Sequence, residues 1–75
     1  LIMQFPNLKP RDRIRLISMP SDPAPIPVGT LGTVVGVYPQ QGWTQIDVDW
    51  ECNRTLMLSI PPDQVEIVPT IVEPT

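Results

Sequence analysis

Trp43-Thr44-Gln45-Ile46-Asp47-Val48-Asp49-Trp50 alternates apolar and polar side chains with a period of two. Ile46, Val48 and Trp50 fall on one face, and Gln45, Asp47 and Asp49 on the other. Successive side chains of an extended chain point to opposite sides, so this stretch reads as a strand with one buried and one wet face. Just upstream, Pro39-Gln40-Gln41-Gly42 is a turn. Before it, Leu31–Tyr38 carries Val34, Val35 and Val37, a strand composition. Gly32 and Gly36 in that run are expected to mark the sharp bending of a small barrel. Downstream, Glu51-Cys52-Asn53 is a tight turn in which Asn53 suits the left-handed conformation. Arg54–Ser59 then forms a fourth strand with Leu56 and Leu58 inward.

Working outward, Arg11–Met19 reads as the first strand. Ile14 and Leu16 point one way; Arg11, Arg13, Arg15 and Ile17 point the other. Pro20 ends it. Residues 20–29 form a long first loop with prolines at positions 20, 23, 25 and 27, stiff and close to polyproline II. Ala24, Ile26 and Val28 alternate with those prolines, which suggests a loop packed onto the body of the domain. Ile60-Pro61-Pro62-Asp63 turns through a short 3₁₀ piece into a fifth strand, Gln64–Val68, facing in with Val65 and Ile67 or with Glu66 and Val68. The 11 prolines sit between apolar runs and leave few windows for a helix. The expectation is an all-β domain, a small five-stranded SH3-like barrel with a long Pro-rich first loop. Residues 1–8 are an extended lead-in, 9–68 the barrel and 69–75 a flexible tail. An OB-fold is the alternative, but it is usually longer and often needs room for a helix.

A chain of 75 residues suffices for one domain with a modest core. Cys52 is alone, which excludes an internal disulfide and fits a reducing, cytoplasmic location. Five basic against eight acidic residues give a net charge of −3, unfavourable for a protein that grips phosphate backbones. The absence of histidine removes the usual general base and the commonest metal ligand. No apolar run approaches the ~18 residues of a membrane span, and the apolar Leu1–Phe5 is too short for a signal peptide.

Arg11-Asp12-Arg13-Ile14-Arg15-Leu16-Ile17-Ser18-Met19, Asp22-Pro23, Pro27-Val28-Gly29-Thr30 and Gly32-Thr33-Val34 form a pattern, continued by Val48-Asp49-Trp50, Arg54-Thr55-Leu56 and Pro61 to Val68. It resembles a family of small SH3-like, KOW-like domains of unknown function found in bacteria and phages, over roughly residues 9–68. Family members commonly carry Asp-Asn-Gly after the tryptophan, where this chain has Glu51-Cys52-Asn53. The resemblance implies the fold and the domain span, and no activity. A looser similarity to KOW-type translation and transcription barrels runs through Gly29–Val34.

Three sets of residues are candidates for partner binding. Arg11, Arg13 and Arg15, with Lys9 beside them and Arg54 further on, form a basic stripe for an acidic protein surface or a nucleic-acid backbone. Its bland reading is a solvated strand face that discourages edge pairing. Asp47, Asp49 and Glu51 form an opposite stripe, either paired with arginines across strands, at about 0.2–1 kcal/mol per exposed pair, or free to dock a basic partner. Calcium, with its need for six to eight oxygens, fits this strand pattern poorly. Tyr38 and Trp43 flank one hairpin and resemble a peptide-binding surface if exposed; the alternative is that Trp43 caps the barrel end. Trp50 is expected in the core. No nucleophile–base pair, zinc knuckle or phosphate loop is present. The expected function is a non-enzymatic protein-interaction or assembly module without cofactor or metal, holding another protein or a second copy of itself. The alternative is a KOW-type domain that binds RNA or DNA.

Overall fold

The computed structural model describes residues 7–69; residues 1–6 of the expected lead-in (1–8) and 70–75 of the expected tail (69–75) lie outside them. Six strands follow one another: β1 (Arg13–Ser18), β2 (Leu31–Pro39), β3 (Thr44–Trp50), β4 (Arg54–Thr55), β5 (Leu58–Ile60) and β6 (Gln64–Ile67). They make one antiparallel sheet in the order β4-β3-β2-β1-β6, with β5 also on β3. The chain meanders from β1 to β5, and β6 returns to the free edge of β1. The all-β expectation holds. The sheet is not closed: no pairing joins β6 to β4 or β5.

The apolar periodicity builds the core. Ile14 and Leu16 of β1, Val34 of β2, Ile46, Val48 and Trp50 of β3, and Leu58 and Ile60 of β5 are buried on one face. Val65 of β6 joins them, while Ile67 is exposed, which answers the open choice at the fifth strand in favour of Val65 alone. From the Pro-rich loop only Ile26 reaches the core; Val28 is 75% exposed and Ala24 exposed. The loop's end is tied back through Gly29 N–H to the Leu16 carbonyl (2.8 Å) and Leu16 N–H to the Thr30 carbonyl (3.0 Å). Leu8, read from sequence as lead-in, is also a core residue.

Four expectations are corrected. Arg11 does not belong to the first strand: it sits in the Lys9–Asp12 turn with φ 80°, and β1 begins at Arg13. Val35, not a glycine, forms the irregularity of β2. Val34 faces Val48 while Gly36 faces Asp47, so Val35 is an extra residue pushed outward as a bulge. The Ile60–Asp63 connection is a plain turn, without a 3₁₀ helix. Its closure comes from Asp63, whose N–H donates to the Ser59 carbonyl and whose carboxylate accepts from the Ser59 N–H, both at 2.9 Å.

The fourth correction positions the site. The expected single strand Arg54–Ser59 is two pieces, β4 and β5. Both lie on β3 in one register: Asp49 faces Thr55, and Ile46 faces Leu58. Continued without a break, that register would set Val48 opposite Leu56 and Asp47 opposite Met57, and there the ladder is open. A buried indole N–H needs an acceptor. Trp50 Nε1 takes the Leu56 carbonyl at 3.0 Å, which draws this carbonyl from the strand pairing.

Candidate functional site: an apolar groove beside Asp47 and Asp49

The interruption between β4 and β5 opens a groove of about 400 Å³ lined by Val35, Asp47, Val48, Thr55, Leu56 and Met57. Its walls are mostly apolar, and two of them stand out from the surface: Val35 is 60% exposed and Met57 57%. Each exposure has a local cause. The bulge turns Val35 outward, and the Leu56 and Leu58 side chains, both packed against the core, leave the intervening Met57 on the other side. Met57 also borders a second depression of about 190 Å³ that includes Asp22, Pro23, Pro62 and Asp63.

The expected charged stripes separate. Arg13 donates to Thr33 Oγ1 at 2.7 Å and to the Glu51 carboxylate; Arg15 forms an ion pair with Glu66, its register partner on β6. Arg11 and Arg54 form no ion pair among the described residues, and Arg54 Nη1 reaches only the Pro25 carbonyl, at 3.4 Å. Lys9 is held by Asp12 at 3.0 Å. Of the three carboxylates read as one stripe, Glu51 therefore answers Arg13, while Asp47 and Asp49 meet no cation among the described residues. Asp47 accepts from Gln45 Nε2 at 3.1 Å; Asp49 is exposed, across from Thr33 and Thr55.

Tyr38 and Trp43 are both partly exposed at the β2–β3 hairpin, 48% and 38%. Gln45 faces Tyr38 directly, and Gln40 N–H donates to the Trp43 carbonyl at 2.8 Å, so the register sets Trp43 diagonal to Tyr38. They lie at the hairpin end and do not line the groove. Cys52 is a free thiol packed against the edge of the core.

Asp12 titrates below its ordinary range. Burial pushes its carboxyl up, but the side-chain and backbone hydrogen bonds from Lys9, with the Lys9 charge, outweigh that and hold it below 3.8. Among the described residues no group of three or more histidine, cysteine, aspartate or glutamate side chains is arranged to hold a metal ion. Nor, among the described residues, is any helix long and apolar enough to cross a membrane.

The groove residues Val35, Thr55, Leu56 and Met57 were not singled out from the sequence. The alternation that placed Leu56 and Leu58 inward already implied an outward Met57, so that signal was present; the ladder break was not. No family model matches this chain, and no curated protein or solved structure matches it either.

Proposed function

We propose that this chain is a non-enzymatic protein-interaction module built on an SH3-like barrel, and that the β3–β5 groove is its binding surface. Strand order supports the barrel: a meander through β5, and a last strand that returns beside the first. The observation that carries the function is the groove itself. Exposed apolar side chains on a small domain are ordinary singly, but Val35 and Met57 stand together on the walls of one cleft. Against the nucleic-acid reading stand the net charge of −3 and the engagement of Arg13 and Arg15 by carboxylates.

The chain immobilised as bait captures a protein from a lysate of its native host. The Val35→Ser/Met57→Ser variant, its fold checked by circular dichroism, loses that protein. Capture of nothing, or undiminished capture by the variant, overturns the reading.

A further inference from the structure

Resting on the interaction-module reading, we infer that the groove takes an extended peptide segment of a partner protein that carries an aliphatic anchor flanked by lysine or arginine. The anchor follows from the walls. Val35, Val48, Leu56 and Met57 offer an apolar lining, and the methionine adapts its shape to what enters. The flanking cations follow from charge. Asp47 lines the groove and Asp49 stands two residues further along β3, without a cation to offset their repulsion among the described residues. Asp22 borders the adjoining depression on the far side of Met57. Among the described residues no lysine or arginine lines either one. Three of the chain's five basic side chains are held elsewhere by Asp12, Glu51 and Glu66. A second copy of the chain would bring another net charge of −3 against this face. A cationic segment instead meets Asp49, already exposed, and the half-buried Asp47 and Asp22, at a modest desolvation cost.

The test uses the whole chain, isotopically labelled, and three acetylated, amidated peptides: KKLVKK, EELVEE and KKSGKK. The expected result is that KKLVKK moves the amide resonances of Val35, Asp47 and Met57, that added salt weakens the effect, and that EELVEE and KKSGKK bind several-fold more weakly. Asp47→Asn and Asp49→Asn should each weaken KKLVKK roughly two- to threefold. The side-chain carbonyl that Asp47→Asn introduces can still accept from Gln45, so the local structure is kept. Equal binding of EELVEE at the same resonances overturns the cationic partner while leaving the interaction module standing. Equal binding of KKSGKK overturns the apolar anchor. No shift with any peptide, or a light-scattering mass of a dimer whose formation protects these same amides, overturns the inference as a whole.

Discussion

Gly32 and Trp50 face each other across β2 and β3, and the fit between them leaves no room for a methyl group. A Cβ on Gly32 would sit 2.7 Å from Val48 Cγ1 and 2.8 Å from Trp50 Cε3, with the Asp49 carbonyl at 3.2 Å. Both side chains are in the core and cannot swing away. Gly36 is different. Its Cβ would meet the Tyr38 ring, 2.5 Å from the hydroxyl, and that ring is half exposed and free to move. Gly32→Ala is therefore expected to cost about 1–3 kcal/mol of stability in urea unfolding, and Gly36→Ala less than about 1 kcal/mol. Equal losses would mean that Gly32 is kept for backbone bending, the role its sequence position first suggested, and not for the space above it.

At the scale of elements, the strands were legible wherever one face alternates with the other. Ile14 with Leu16, and Ile46 with Val48 and Trp50, declare their buried sides in the sequence, and all five are buried. The β4–β5 break was not legible, because it hangs on where one indole N–H finds its acceptor six residues along the chain. Nor was the bulge at Val35, since three valines in Val34–Val37 suit a regular strand equally well. The turn before β1 was hidden for the same kind of reason. Arg11 continues the alternation of Arg13 and Arg15, yet Asp12 pulls the chain into a turn, binding the Lys9 N–H and the Lys9 ammonium, both at 3.0 Å. That turn has a pH signature. The Asp12 carboxyl titrates lower in the folded chain than the ordinary 3.8, so the unfolded chain takes up its proton first. The stability this contributes is present above 3.8 and is lost as pH falls through the lower, folded value. Thermal midpoints followed into acid should fall less steeply for Asp12→Asn than for the parent chain over that interval. Parallel acid limbs would remove Asp12 from the account.

Over the whole molecule, the distribution of charge matters more than its sum. The Arg13–Glu51 and Arg15–Glu66 pairs join residues 38 and 51 positions apart, from the first strand to the later elements. All four side chains are at least one-third exposed, so each pair adds little to stability. Their larger effect is on recognition: a carboxylate beside each guanidinium cancels the field that a polyanion would feel. Of the basic stripe visible in the sequence, Arg13 and Arg15 are thus muted by partners that no local pattern reveals, while Arg11, in its turn, and the acidic residues by the groove meet no opposite charge among the described residues. Glu51→Gln/Glu66→Gln brings the net charge from −3 to −1 by removing two acidic side chains, and it frees Arg13 and Arg15 at the same stroke. The variant should lose no more than about 1 kcal/mol per pair in urea unfolding and should elute from a heparin column at higher salt than the parent. A control that also raises the net charge by two, Asp47→Asn/Asp49→Asn, leaves both arginine pairs in place and should gain less retention. Equal retention of the two variants would mean that heparin reads only the total charge, and that the pairing of the arginines hides nothing.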